Sequence, residues 1–266
     1  MANALIGKMT IGKAAGAALV AGAMLLGACG SKDDNATYVE QPVDTLYNRA
    51  LDDLGAQEYK SAAKEFEEVD RQHPYSVWAT KAQIMAAFTY YQSNKYDEAQ
   101  IALDRFIQLH PGHRDIPYAY YLKALCYYEQ ISDVGRDQGM TQKALDSLAD
   151  VVKRFPETPY ARDARLKVEL TIDHLAGKEM DIGRYYQRQQ QYIGAINRYR
   201  VVIERYQTTT HVPEALHRLV ESYLALGVKS EAKEAAAVLG HNFPGSDWYA
   251  DSYFLITGED FRFDEK

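Results

Sequence analysis

The sequence of 266 residues is poor in three features, and each shortage excludes a class of protein. It has only two cysteines, Cys29 and Cys126, so no disulfide framework can stabilise the fold. It has no basic surplus: the formal net charge is −7, which argues against nucleic acid as the main partner. Its long apolar run, Ala14 to Leu26, is too short to span a membrane permanently. Cys126 lies on an apolar helix face, where we expect a buried and unreactive thiol.

Recognisable catalytic motifs are also missing from the sequence. It contains no phosphate-binding loop, no Gly-x-Ser-x-Gly and no His-Glu-x-x-His. The many carboxylates are scattered, as on solvated helix surfaces. His110 and His113 are conceivable metal ligands, but no cysteine or carboxylate cluster joins them, and helix-end residues are the simpler interpretation. We therefore predict an interaction protein rather than an enzyme, with no cofactor and no metal.

A repeated pattern is present instead. Tyr96, Ala99, Leu103, Phe106 and Pro111 follow one another at offsets 0, 3, 7, 10 and 15. The first four share one face of a helix, and the proline ends it. Four further segments keep all or most of these offsets, and their alanines are Ala62, Ala144, Ala195 and Ala232. Another predicted helix precedes each of these segments, so each segment is the second helix of a pair. Recurring helix–turn–helix units with a period of about 34 residues are typical of tetratricopeptide (TPR) repeats.

The pattern predicts an all-α fold, a TPR solenoid of five helix–turn–helix repeats. Along the chain we predict a signal peptide at 1–28, a lipidated cysteine with a flexible tether at 29–41, repeats one to three at 42–157, repeats four and five at 158–257, and an acidic tail at 258–266. One helix should be unusually long, from Tyr160 to about Gln190, because no proline interrupts that stretch.

The N-terminus carries the features of a secretory signal peptide. Lys8 and Lys13 accompany the apolar run, which ends in Leu26-Gly27-Ala28-Cys29 and resembles the lipobox of bacterial lipoproteins. We predict cleavage between Ala28 and Cys29, with diacylglycerol on the Cys29 sulfur and an acyl chain such as palmitate on its amine. An ordinary cleavage site beside a chance cysteine is the alternative. Gly30, where inner-membrane lipoproteins often have Asp, favours the outer membrane by the same resemblance.

The first helices of the first three repeats carry an aromatic-rich stripe. In TPR solenoids these helices line the concave side. The stripe has i, i+4, i+7 spacing and consists of Tyr47, Leu51, Leu54, Ile84, Phe88, Tyr91, Tyr121, Leu125 and Tyr128. We predict a groove that binds an extended peptide with aromatic side chains, with Lys81, Arg114 and Lys123 at its rim. Alternatively, some positions belong to the core between repeats; we expect about half to be at least partly buried.

The third repeat is interrupted by the segment Ile131–Gly139, which is longer than the corresponding turns of the other repeats. Loops inserted into repeat proteins often carry binding function. The alternative is that Asp137 or Thr141 simply caps the helix that follows. The sequence leaves both interpretations open.

The lipobox, the five repeats, the interrupted third repeat with its Arg136-Asp137-Gln138, and the run Ala195-Ile196-Asn197-Arg198 together resemble the BamD family. These are TPR lipoproteins of the outer-membrane β-barrel assembly (Bam) machinery, and the resemblance covers the mature chain. It implies a lipid-anchored protein on the periplasmic face of the outer membrane, beside other Bam lipoproteins. Its C-terminal repeats would bind BamA, and its N-terminal repeats would receive unfolded β-barrel precursors. Arg198 is then a candidate BamA contact, with Arg136 and Asp137 as further partner contacts.

A second hypothesis is a periplasmic TPR lipoprotein that serves as an adaptor for peptidoglycan enzymes. It would share the signal and the repeats but would not copurify with BamA. Depletion would then disturb the cell wall and leave porins in place. An enzyme with an unrecognised site in the groove is the third hypothesis, and perturbed pKa values there would favour it.

Overall fold

The computed structural model describes residues 40–259, and the regular structure within them is entirely helical. A single compact unit begins at Gln41. The helices are α1 (Val43–Gly55), α2 (Tyr59–Gln72), α3 (Val77–Gln92), α4 (Tyr96–Leu109), α5 (Ile116–Tyr128), α6 (Gly139–Arg154), α7 (Pro159–Arg188), α8 (Tyr192–Arg205), α9 (Val212–Ala225), α10 (Lys229–Asn242) and α11 (Asp247–Thr257). The predictions for the signal peptide, for Cys29, for most of the tether and for most of the acidic tail lie outside the described residues.

The first ten helices form five antiparallel pairs, and each helix packs on the next along the chain. This confirms the predicted all-α TPR fold of five repeats. Helix α11 follows the last pair and covers the exposed side of α9 and α10. None of the helices between residues 40 and 259 combines the length and the apolar character that crossing a bilayer requires.

Four of the five turns within the pairs are built in the same way. The residue two positions before the second helix has a positive φ: Gln57, Asn94, Gln190 and Gly227, with φ between 59° and 77°. Its left-handed backbone reverses the chain within three residues, and Asn and Gly adopt that conformation most readily. The third repeat has its inserted loop at this point instead.

The landmark residues of the sequence pattern form the core. The five landmark alanines, from Ala62 to Ala232, have no exposed surface. Alanine permits the close crossing of two helices, and large side chains such as Phe66 and Tyr199 fill the space beside it. Cys126 is buried in the same way, and this burial raises the pKa of its thiol to about 12, as expected for an unreactive cysteine.

Helix α7 is 30 residues long and belongs to both halves of the array. Its N-terminal half packs on α6, where Ala164 and Val168 meet Leu148 and Val151. Its C-terminal half packs on α8, and side-chain hydrogen bonds from Arg184 and Gln187 join it to α9. Gly183 lies where α7 and α8 approach most closely, since a Cβ at this position would overlap the Tyr199 ring.

Candidate partner-binding surfaces

A set of half-buried tyrosines follows the first helices of the second and third repeats onto α7. We call Tyr91, Tyr121, Tyr128 and Tyr160 the tyrosine band. The ring of Tyr160 lies 5.5 Å from the ring of Tyr121, centroid to centroid. All four rings keep part of their apolar surface open, and the rings of Tyr121 and Tyr160 also support each other.

Two hydroxyls of the tyrosine band join successive first helices. Tyr91 on α3 donates a hydrogen bond of 3.1 Å to Glu129, just after α5, and Tyr121 on α5 donates to Asp163 on α7. Burial raises the pKa of both tyrosines well above the usual value, and the carboxylate acceptors raise it further. Both hydroxyls therefore stay protonated at neutral pH and fix the orientation of their rings.

The cation beside the tyrosine band is Lys167. Its Nζ lies 2.8 Å from Asp163 and 5.5 Å from the centre of the Tyr128 ring. Burial opposes ionisation of Asp163, but the hydrogen bonds from Lys167 and Tyr121 outweigh this effect and lower its pKa. The band thus carries a matched pair of charges at its α7 end.

The three predicted rim cations each have a contact within the chain. Lys123 forms an ion pair with Asp104, so its charge is neutralised on the side of α5 that faces α4. Lys81 lies 5.0 Å from the centre of the Trp78 ring, and Arg114 lies beside Asp115 in the loop before α5.

Two of the predicted groove residues lie in the core instead. Tyr47 is only 9 % exposed and packs against Phe66 and Trp78, and Ile84 is 8 % exposed. These two positions need correction, because a side chain buried between repeats has no surface left for a peptide. Leu51 is 39 % exposed, and Phe88 is half-buried against the core of the second repeat.

The repeat pattern does not predict the contribution of α7 to this surface. Tyr160 belongs to the tyrosine band, and Asp163 and Lys167 contact it, although the repeat pattern places α7 in the fourth repeat. A signal was present, since these residues have the 3 and 4 spacing that places them on one helix face. Recognising it required knowing that the N-terminal half of α7 packs beside α5.

The inserted loop of the third repeat lies against the middle of α7. His174 makes a hydrogen bond of 2.8 Å with the carbonyl oxygen of Ser132, and Lys178 donates one of 3.1 Å to that of Gly135. Side chains of α7 therefore hold the loop through its backbone carbonyl oxygens, and the side chain of Arg136 is exposed. Arg136 is thus available to a partner.

The alternative role of the loop, helix capping, also has support. Asp137 Oδ2 accepts a hydrogen bond of 2.9 Å from the backbone N–H of Gly139, the first residue of α6. Thr141 is buried inside the helix and donates to the side chain of Gln138. Asp137 thus satisfies a free N–H at the start of α6 and remains exposed, whereas Thr141 does not cap it.

Arg198 lies on α8 and is paired within the chain. Its Nη1 donates a hydrogen bond of 3.1 Å to Glu179 of α7, the residue after the Lys178 that holds the inserted loop. Arg198 also lines a shallow groove with Tyr186 and Asn197. The guanidinium is therefore held in position and keeps part of its surface open.

A network of charged groups connects α7 with α9 in the last two repeats. Arg184 donates two hydrogen bonds of 3.0 Å to Glu214, and Gln187 donates one of 2.9 Å to Glu221. Burial opposes ionisation of Glu221, but hydrogen bonds from His217, Arg218 and Gln187 lower its pKa to about 2. This network holds charges that are partly removed from water, so their partners matter to stability.

Comparison with known proteins places the chain in a family. The family model described as "YfiO: Outer membrane lipoprotein" matches residues 39–239. Outer membrane protein assembly factor BamD of Caulobacter vibrioides is 49% identical over 92% of this chain and 81% of its own length. The protein of the same name from Rickettsia prowazekii is 48% identical over 93% of this chain and 98% of its own, and that of Neisseria meningitidis serogroup A is 33% identical over 86% and 91%. The chain therefore belongs to the YfiO family of outer membrane lipoproteins, which includes the BamD assembly factors.

Proposed function

We propose that this protein is the BamD component of a Bam complex and assembles β-barrel proteins into the outer membrane. Its N-terminal repeats receive unfolded precursors, and its C-terminal repeats, with the inserted loop, bind BamA. It is held on the periplasmic face by acyl chains on Cys29. Family and fold together point to a non-catalytic scaffold.

The observation that supports precursor binding best is the tyrosine band. Half-buried tyrosines offer large apolar surfaces at little entropic cost, because neighbouring rings and hydrogen bonds already fix their orientation. An extended chain with aromatic side chains can stack on such rings without ordering them first. The Lys167–Asp163 pair beside the band adds polar groups that favour one direction of the peptide.

Site-specific photocrosslinking tests this role. A photoreactive amino acid replaces Tyr91 in the full-length protein, which is then mixed with a synthetic peptide taken from the C-terminus of a β-barrel precursor. The control places the same amino acid at Ile101, which is 71 % exposed on α4. We expect adducts at position 91 that an excess of unlabelled peptide removes. Equal labelling at the two positions would reject the tyrosine band as the binding surface.

Charge reversal on α8 tests the BamA contact. Arg198→Glu removes the cation beside Glu179 and repels acidic partners, whereas Arg200→Glu changes an exposed arginine that pairs only with Glu204 of the same helix. We expect BamA to copurify less with the first variant and normally with the second. Equal recovery of BamA would exclude Arg198, and a membrane that retains its porins after depletion would favour the peptidoglycan-adaptor hypothesis.

The lipid anchor is tested by the mass of the mature protein. A triacylated N-terminal cysteine adds three acyl chains, and Cys29→Ser removes the atom that carries the diacylglycerol. We expect the parent protein to carry the additional mass of the acyl chains and the variant to lack it. A mature parent protein without this additional mass would contradict the anchor.

A further inference from the structure

One face of α7 is covered over half of its length and open over the other half. The residues of this face alternate in steps of four and three, so they form a single stripe along the helix. The stripe consists of Leu166, Leu170, Asp173, Gly177, Met180, Arg184 and Gln187.

The C-terminal part of the stripe is the interface with α9 and the loop before it. Met180 is fully buried, and Arg184 and Gln187 donate to Glu214 and Glu221 of α9. A Cβ at Gly177 would touch the imidazole of His211, so the loop before α9 closes directly over this position. This half of the stripe is therefore occupied by α9 and the loop before it.

The N-terminal part of the same stripe has no helix on it. Leu166 is 62 % exposed and Leu170 is 61 % exposed. Both line an open groove with Glu169 and with Thr208–Thr210 of the loop before α9. Asp173 marks the boundary, because its carboxylate accepts hydrogen bonds of 3.1 and 2.9 Å from the backbone and hydroxyl of Thr210. The groove thus begins where the intramolecular contact ends.

We propose that an amphipathic helix of a partner protein docks on Leu166 and Leu170, in line with α9 on the same face of α7. A helix fits this position because the same face of α7 is already joined to α9 through Arg184 and Gln187, and Met180 shares a buried cluster with residues of α9. Two leucines one turn apart, each more than half exposed, present the aliphatic ridge that the apolar side of a helix covers.

The charges along the groove define the partner further. Exposed Arg162 lies one turn before Leu166 and makes no ion pair with the described part of the chain, and Glu169 is exposed at the edge of the groove. In the covered half of the stripe, Arg184 is matched by Glu214 of α9. The partner helix therefore carries an acidic residue opposite Arg162 and a basic residue opposite Glu169, on either side of its aliphatic face.

Photocrosslinking in cells tests the inference with the full-length, membrane-anchored protein. A photoreactive amino acid replaces Leu170, and mass spectrometry identifies the residues to which it becomes linked. The control position is again Ile101. We expect a yield at least tenfold above the control, on a partner segment whose aliphatic residues recur at i, i+3 or i+4. Adducts with lipid, with a second copy of this chain or with a strand, or a yield equal to the control, would overturn the proposal.

A second set of variants separates docking from folding. With the photoreactive amino acid at Leu170, Leu166→Glu should lower the adduct yield about tenfold, and Arg162→Glu should lower it by a smaller factor. Both side chains are exposed, so the melting temperature should stay within about a degree of the parent. An unchanged yield in both variants would count against the groove. The result is independent of the tyrosine band, because peptide labelling at Tyr91 is measured separately.

Discussion

The two halves of this array share their helix pairs and their landmark alanines but use different polar contacts between repeats. In the first half, Tyr91 and Tyr121 donate hydrogen bonds to carboxylates at the open surface. In the second half, Arg184 and Gln187 meet Glu214 and Glu221 across a largely covered interface. The first arrangement leaves aromatic surface for a partner, whereas the second uses its polar groups to hold the chain itself together.

This difference shows that a repeat pattern specifies the helix pairs and leaves the neighbouring faces open to other uses. Alanine is required where two helices cross, so it recurs at Ala62, Ala99, Ala144, Ala195 and Ala232. The faces between first helices have no such requirement, because side chains of several sizes and charges can bridge them. One half can therefore present a surface while the other provides rigidity.

The largest effect is expected from removing the equivalent large core side chain in either half. Phe66→Ala and Tyr199→Ala each empty a fully buried site at the same offset of the repeat pattern, and each should cost about 3–5 kcal/mol of unfolding free energy. Because α7 belongs to both halves, we expect one cooperative transition in chemical denaturation of either variant. Two separate transitions would mean that the halves unfold independently.

A smaller effect is expected at two glycines, one in each half, that differ in how closely a neighbouring helix approaches them. Gly183→Ala places a methyl group against the buried Tyr199 ring, and overpacking of this kind costs about 1–3 kcal/mol. Gly55→Ala, at the end of α1, meets no atom within 4 Å, and alanine favours a helix over glycine by about 0.5–1 kcal/mol. The two melting temperatures should therefore shift in opposite directions, and equal shifts would contradict the close α7–α8 approach.

The stability that the charge network contributes should depend on pH more steeply than that of an exposed ion pair in the first half. The pKa of Glu221 is lowered to about 2 in the folded chain, so its contribution is complete above its unfolded value of 4.5 and is lost as the pH falls towards 2. Glu221→Gln should therefore cost about 1–3 kcal/mol at pH 7 and almost nothing near pH 2.

The matched control for this titration is Glu68→Gln in the first half. Hydrogen bonds from Arg71 and Gln72 lower the pKa of Glu68 to about 2 as well, but Arg71 is exposed and the pair lies within one helix. Surface pairs of this kind contribute about 0.5 kcal/mol. Denaturation curves measured from pH 7 down to pH 2 give the difference in unfolding free energy between the parent and each variant. This difference should change steeply with pH for Glu221→Gln and only slightly for Glu68→Gln. Equal slopes would mean that burial does not distinguish the two halves.

The smallest effect is expected for the hydroxyls of the tyrosine band. Tyr121→Phe removes one hydrogen bond to Asp163, which keeps its contact with Lys167. Since Asp163 is only partly buried, the loss should be about 0.5–1.5 kcal/mol. Tyr199→Phe in the second half removes a hydrogen bond of 2.7 Å to Gln187 inside the charge network, and it should cost at least as much. A larger loss for Tyr121 would reverse the assignment of rigidity to the second half.

The sequence was sufficient to predict the fold because its landmarks have local causes. Alanine at helix crossings, proline after most of the helix ends and a turn residue before most of the second helices are all visible within one repeat. The surfaces depend on contacts between repeats, which the pattern does not encode. Tyr47 and Tyr91 occupy stripe positions on α1 and α3, yet Trp78 covers Tyr47. Tyr91 instead donates a hydrogen bond to Glu129, which lies 38 residues further along the chain.

The missed role of α7 has the same physical origin. Tyr160 could be placed in the tyrosine band only by knowing that one helix serves two neighbouring repeats. The N-terminal features, including Cys29, were predicted from a motif that processing enzymes recognise, and packing played no part in that prediction. They lie outside the residues that the structure describes.

The sharing of α7 also limits how the chain can be divided. A polypeptide that stopped at Glu157 would lose Ala164 and Val168 and leave Leu148 and Val151 facing water, while one that began at Pro159 would expose the other side of the same contact. The N-terminal fragment would have to include the N-terminal half of α7, and the C-terminal fragment would have to include α6, for each to bury this layer. Experiments that assign activities to isolated halves should therefore keep α6 and the N-terminal half of α7 in both fragments, or they will measure the consequences of an opened core.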